Sequence, residues 1–306
     1  MAGAGPVDRV VPGLAWPVAG PPPTVDEVRA ALVDVDLVVV ENLCSLPLNP
    51  AATAAVVAAR RGLPTLLHHH DLPWQRERFA SVTDWPPTDD AWQHVTINDV
   101  TRHDLAARGI DAVTIRNGFD VDVAPGERDD TRRALGVDGG ERLLLHPVRA
   151  IARKDVPAAI RLAEALGATY WLSGPAEEDF APALEAALAG ARCRVIHRPF
   201  PTTTADAYAA ADAVAFPSTW EGFGNPLVES ALHRRPLAVR RYPVAEELAA
   251  FGFEWFPVDD PAPLAAFLDA PDDDLLDRNR ARARHHFSWE RVAAELLALL
   301  AYRWAW

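Results

Sequence analysis

The chain has 306 residues, room for two domains of moderate size, and an ordinary apolar content that can bury two cores. Its net charge of −13, with no Lys/Arg-rich run, argues against a nucleic-acid surface and against a broad electrostatic hold on membranes. No stretch of about 20 apolar residues is present, which argues against a spanning helix. In chain order, strand patterns fall at 36–41, 65–69, 94–98 and 112–116. Helical patterns at 24–33, 50–61 and 99–108 lie between them. A polar linker over 120–140 with a short helix follows. A second series of strands then runs through 142–146, 168–172, 193–197, 213–216, 237–239 and 254–256. Its helices are expected at 156–166, 177–189, 203–210, 226–233 and 244–250. The tail from Asp273 reads as helical with a break near Phe287-Ser288. This alternation is the pattern of an α/β protein with parallel sheets.

Two cysteines, Cys44 and Cys193, lie far apart and read as buried free thiols of a reducing compartment. Met1–Pro6 lacks the basic and apolar regions of a signal peptide, so a cytoplasmic location is expected. Peripheral membrane contact stays open.

The densest chemistry lies between Phe216 and Glu229. The apolar run Ala213–Phe216 reads as a buried strand. Asn225 is placed as an N-cap and Pro226 at the first helical position. Glu221 then sits in the strand-to-helix loop and Glu229 at the end of the first helical turn. Gly222 and Gly224 allow close approach of a ligand to the backbone, and the helix start suits a phosphate. A carboxylate on each side of a phosphate site can accept hydrogen bonds from two separate diols. A nucleotide sugar, with ribose diol, diphosphate and sugar diol, has that layout.

With Glu221 and Glu229 in a Glu-x7-Glu spacing, the segment resembles the retaining glycosyltransferases of family four (glycosyltransferases group 1). The resemblance implies the GT-B fold, two doubly wound Rossmann-like domains facing a cleft. It implies domains at 1–124 and 125–286, the first on the acceptor side and the second binding the nucleotide sugar, with a C-terminal helix over 287–306. The fragment Ala2–Pro6 is similar to the end of a second strand in such enzymes. Roughly 40–60 residues typical of the fold would then be absent ahead of it, leaving the first domain incomplete.

The resemblance also implies roles. Glu221 would hold hydroxyls of the transferred sugar and Glu229 the ribose. Gly222, Phe223, Gly224 and Asn225 would complete the donor site. Arg149 and Lys154, after the first strand of the second domain, match a pair of cations that bind the diphosphate, with Arg153 competing for the Lys154 role. Ser173, Gly174 and Arg198, at the ends of the next two strands, are weaker donor-site candidates. In Leu67-His68-His69-His70-Asp71, three adjacent histidines suggest a metal. Successive strand residues face opposite sides, however, so all three cannot converge on one ion. The resemblance instead sets His70 beside the transferred sugar, with Asp71 next to it; Trp74 and Arg76, in the loop that follows, suit stacking on a sugar and pairing with an acidic group on the acceptor side, or a loop packed on itself. No metal and no cofactor is expected, the nucleotide sugar being a substrate. The implied activity is transfer of a sugar, as by a hexosyltransferase, from a nucleotide-sugar donor to an unidentified hydroxyl acceptor with retention. A nucleotide-sugar epimerase or hydrolase, or a non-catalytic nucleotide-sugar binder or subunit, is the alternative.

Overall fold

The computed structural model describes residues 8–304 apart from 16, 17, 19, 201 and 202. The Met1–Pro6 segment and the last residues of the expected C-terminal helix lie outside the described residues. The chain divides into two compact units, Met1–Arg116 with Ala294–Trp306, and Asn117–Ala293. Residues 117–124 and 287–293 therefore group with the second unit. Phe119 N–H donates to the Phe287 carbonyl at 2.8 Å, which joins these two segments.

The first unit runs α1 (Val25–Ala31), β1 (Val38–Glu41), α2 (Pro50–Arg60), β2 (Thr65–His69), β3 (Trp92–Thr96), α3 (Asp99–Ala106) and β4 (Ala112–Thr114). Its helices start where the sequence supplies caps. The Thr24 hydroxyl accepts from Glu27 N–H, and Glu27 reaches back to Thr24 N–H in a capping box. Asn49 caps α2 ahead of Pro50, and Asn98 caps α3. The four strands form one parallel sheet in the order β1-β2-β3-β4. β3 is buried throughout, whereas β1, at an edge of this sheet, alternates between core and surface.

The second unit contains α4 (Arg128–Leu135), β5 (Leu143–His146), α5 (Val156–Ala165), β6 (Thr169–Leu172), α6 (Ala181–Ala189), β7 (Val195–His197), α7 (Thr204–Ala210) and β8 (Ala213–Phe216). It continues with α8 (Pro226–Leu232), β9 (Leu237–Val239), α9 (Pro243–Ala249), β10 (Phe256–Pro257), α10 (Ala262–Asp269) and α11 (Asp273–Phe287). The last helix, α12 (Trp289–Trp304), begins in this unit. Its six strands are parallel in the order β10-β9-β8-β5-β6-β7. β5, β6 and β8 are buried at every position, as expected of strands covered on both faces. Numbered from β5, this order is that of the doubly wound dinucleotide-binding fold. The direction of winding reverses between β5 and β8, which pair through Leu144–Ala213 and Leu145–Val214. The fold is thus α/β with two Rossmann-like sheets.

Several local expectations need correction. α6 starts at Ala181 and not at 177, because Glu177 N–H bonds the Ala150 carbonyl and Glu178 and Asp179 take positive φ. The last strand lies at Phe256–Pro257, two residues later than its apolar pattern began. There Glu254 faces out to Arg278 and Arg282, and its backbone is bound by Asn279. α10 was not anticipated. Cys44 is buried, but Cys193 is only half-buried.

Candidate functional site

Loops leaving β5 and β8 diverge at the carboxyl edge of the second sheet, where doubly wound folds place ligands. The loop after β5 carries Arg149, Arg153 and Lys154, and the loop after β8 carries Glu221. The structure zips these loops together. Thr219 N–H donates to the Arg153 carbonyl at 2.9 Å, and Arg153 Nη1 donates to the Trp220 carbonyl at 2.9 Å. Lys154 Nζ lies 2.5 Å from Glu221 Oε1, and Arg153 Nη1 lies 2.5 Å from Oε2. Each carboxylate oxygen therefore has its own cation. Glu221 is 5% exposed and Lys154 8%.

Burial would raise the Glu221 carboxyl, but Lys154 and Arg153 outweigh it and hold the group below the ordinary carboxylate range. Burial pulls the Lys154 ammonium down against the attraction of Glu221, and Arg153 and Arg149 add to the lowering. His146, at the end of β5, is pushed down to about 3 by burial and by Lys154, so it is neutral and adds no charge. Its Nδ1 shares a hydrogen bond with Tyr170 Oη at 2.8 Å. Two cations against one carboxylate leave one positive charge uncompensated at the cluster.

Backbone geometry holds the loops in place. Lys154 closes a short 3-10 turn, Ala152–Lys154, after which Asp155 adopts left-handed φ and caps α5. Arg240 Nη1, beyond β9, binds Asp155 Oδ2 at 2.7 Å. Gly174 passes so close to the β5 loop that a Cβ there would lie 2.1 Å from the Val148 carbonyl oxygen. Gly224 takes φ +91, and a Cβ on it would meet Tyr242 Oη at 2.5 Å.

Glu229 sits in the first turns of α8, half-buried. Tyr208 Oη donates to its Oε2 at 2.7 Å, and the Tyr208 ring stacks on His233 with centroids 4.9 Å apart. Burial raises the Glu229 carboxyl above its ordinary value although the Tyr208 hydrogen bond works the other way.

The structure does not bring every expected residue to this cluster. Arg149 Nη1 is turned to Glu177 at 2.5 Å, both half-exposed, and Arg153 takes the place beside Lys154. Asn225 has helical backbone angles and makes no side-chain cap; its Oδ1 accepts from Asn117 Nδ2 at 3.2 Å. Phe223 is buried between Phe119 and Phe287, a packing residue. Ser173 N–H donates to the His146 carbonyl, and Arg198 Nη1 to the Ala134 carbonyl. Gly222 lies on the Glu221 loop and is buried.

In the first unit His70 Nε2 lies 3.0 Å from Glu41 Oε2. Asp71 pairs with Arg76 at 2.7 Å. Trp74 donates to Asp104 and lies under the Arg108 guanidinium, 3.7 Å from the ring centroid, so this loop packs on its own unit. The sequence reading missed Glu41 and Tyr208. Glu41 ends a strand beside the histidine strand, and Tyr208 is the one aromatic residue of α7; neither lies in a recognisable motif.

Residues 150–270 match the family model described as glycosyl transferases group 1. Among curated proteins the chain is similar to mannosylglucosylglycerate synthase of Petrotoga mobilis, at 28% identity over 73% of this chain and 64% of that protein. It is likewise 28% identical to the Thermotoga maritima protein of the same name, over 70% of this chain and 59% of the other. The chain thus spans about three-fifths of the length of these curated relatives. Among solved structures, Anabaena HepE in complex with UDP and glucose superposes with a TM-score of 0.72 at 21% identity, covering 91% of this chain and 81% of HepE. Sucrose-phosphate synthase from Thermosynechococcus elongatus gives 0.70 at 16% identity, over 92% and 77%. Residues 150–270 are thus similar to the glycosyl transferases group 1 family, and the fold matches that of GT-B glycosyltransferase structures.

Proposed function

We propose that the protein transfers a sugar, as a hexosyltransferase, from a nucleotide-sugar donor to an acceptor hydroxyl with retention at the anomeric carbon. One observation carries this reading. Two cations on the β5 loop converge on Glu221 of the β8 loop at the reversal point of a doubly wound sheet. In this scheme Arg153 and Lys154 take the diphosphate and neutralise the charge that grows as the sugar–phosphate bond breaks. Glu221 turns to hydroxyls of the sugar, and Glu229 accepts from the ribose. The acceptor oxygen forms its bond to the anomeric carbon on the face that the diphosphate leaves, and the acceptor proton passes to the departing diphosphate. Positioning and electrostatics are then the protein's main tasks. No metal acts at the diphosphate and no cofactor takes part, because the side chains supply the cationic charge.

The domain layout of the resemblance goes with this reading, with donor binding in the second domain and acceptor binding in the first. A cytoplasmic setting fits a nucleotide-sugar donor; no helix among the described residues is long and apolar enough to cross a membrane.

The test is incubation with UDP-glucose and a panel of other nucleotide sugars. UDP-glucose comes first because a HepE structure contains it. Small hydroxyl acceptors come first because the curated relatives are named for a glycoside of glycerate. The expected products are a nucleoside diphosphate and an α- or β-glycoside matching the donor's anomer. Free sugar formed equally with and without acceptor would point to a hydrolase. Donor binding with no product would point to a binding protein.

A further inference from the structure

A second cluster of ligand atoms lies in the first unit, at the carboxyl ends of β1 and β2. In the parallel register Glu41 stands opposite His68, so the two side chains leave the same face of the sheet. His70, two residues on, returns to that face by strand alternation. His69 points the other way, where it is fully buried between Ser45 Oγ at 2.8 Å and His94 Nδ1 at 2.9 Å. The carboxylate of Glu41 bridges the two rings on the shared face. Its Oε1 is 2.8 Å from His68 Nδ1, and its Oε2 is 3.0 Å from His70 Nε2. One ligand atom from each of the three residues lies within 4.8 Å of the others.

The backbone prepares this arrangement. Asn42 adopts φ 59 directly after Glu41, and its Oδ1 accepts from His70 N–H at 3.2 Å. His68 Nε2 is buried without a hydrogen-bond partner, so its ring is only partly satisfied by the protein.

Around a tetrahedral ion with bonds of about 2.0–2.1 Å, ligand atoms stand about 3.3 Å apart. The three ligand atoms, within 4.8 Å of one another, come to that spacing by rotation of the side chains. Two imidazole nitrogens and one carboxylate oxygen suit zinc and its first-row neighbours, whereas magnesium and calcium prefer all-oxygen sets. We propose that Glu41, His68 and His70 bind one divalent transition-metal ion of the zinc class, with its remaining coordination open to solvent. Side-chain exposures of 59% for Glu41 and 40% for His70 leave a path for entry. The ion ties the edge strand β1 to β2 and gives His70 a ligand role in its own unit. This site is independent of the diphosphate cations, which all belong to the second unit.

Cobalt titration of the full chain, stripped of metal with EDTA and dialysed, tests the proposal. The expected result is one equivalent bound, with visible absorption bands of a nitrogen-ligated site that zinc displaces. Glu41→Gln and His70→Gln should each weaken zinc at least tenfold while circular dichroism and thermal melting in EDTA stay as in the wild type. His285→Ala, which removes one of two neighbouring histidines in the second unit, should leave binding unchanged. No stoichiometric binding would overturn the proposal. So would unchanged affinity in a folded His68→Gln/His70→Gln double variant, or loss of binding through His285→Ala.

Discussion

Tyr208 donates its hydroxyl hydrogen to Oε2 of Glu229 at 2.7 Å, yet burial still lifts the Glu229 carboxyl above its ordinary value. The residue costs the folded protein something at neutral pH that one hydrogen bond does not repair. A carboxyl whose folded pKa is raised favours folding below its unfolded value, and loses that advantage as pH rises through the folded value. Glu229→Gln keeps an acceptor for Tyr208 and removes the buried charge. Its melting temperature at pH 7 should equal or exceed that of the wild type, and the difference should fade towards pH 4. Affinity for a nucleoside diphosphate should fall about tenfold or more, since a hydrogen bond to a charged group contributes roughly 1.5–3 kcal/mol. Calorimetric melting and nucleotide titration read the two effects, and unchanged nucleotide affinity would remove Glu229 from the donor site.

The three-residue ion cluster gives an asymmetric stability pattern. Lys154→Met leaves Arg153 and Glu221 as a neutral pair, so its effect on unfolding free energy should be small, within about 1 kcal/mol. Glu221→Gln leaves two half-buried or buried cations without their carboxylate and should cost about 3 kcal/mol, near the lower bound for breaking a buried pair. The Glu221 carboxyl sits below the ordinary value of 4.5, so its stabilising share is full above that pH and is lost as pH falls through the folded value. The gap between wild type and Glu221→Gln should therefore close in acid. Urea unfolding at pH 7 and pH 3 checks both statements.

The same cluster ranks the cations for turnover. Lys154→Met and Arg153→Ala should each lower kcat by roughly a hundredfold, as for loss of a donor to a developing charge. Arg149→Ala should change kcat by less than about tenfold, because that guanidinium is turned out to half-exposed Glu177. Steady-state kinetics on the three variants decide, and equal losses in all three would return Arg149 to the diphosphate.

Nucleoside diphosphate binding should be unaffected by EDTA if the side chains alone carry the phosphate charge. A titration with and without chelator measures this, and a large loss of affinity would place a metal ion at the diphosphate.

Gly224 offers a backbone test. Gly224→Ala meets both an unfavourable φ of +91 and the Tyr242 hydroxyl at 2.5 Å. The φ strain alone costs about 1–3 kcal/mol. Adding Tyr242→Phe removes the shortest contact and neither the strain nor the contacts with Phe216 and Leu227 at 3.0 and 3.2 Å, so the double variant should recover part of the lost melting temperature.

Much of this was readable in the sequence where burial is complete on both faces. Leu143–Leu145 and Ala213–Phe216 are unbroken apolar runs, and the structure makes them adjacent core strands. The α10 segment was hidden by Pro261 and Pro263, although Leu264 and Phe267 carry its buried face at helical spacing. Arg149 and Lys154 were named by the family resemblance, but the 3-10 turn at Ala152–Lys154 decides which tips converge, and it brings in Arg153. Alternation along β2 correctly separated His69 from its neighbours. It could not supply Glu41, because a cross-strand partner depends on register that only the folded sheet defines.

The saturation of Glu221 by two cations makes anion binding an exchange. An incoming phosphate that draws off Lys154 and Arg153 strips a buried carboxylate of its counterions. A bare phosphate or sulfate offers nothing in return and leaves that carboxylate stranded at high cost. A ligand that brings an anion together with hydroxyl groups within reach satisfies both sides of the swap. If Arg153 and Lys154 take the diphosphate as proposed, the pairing is a selectivity filter ahead of any chemistry, set against bare inorganic anions without a single repulsive contact.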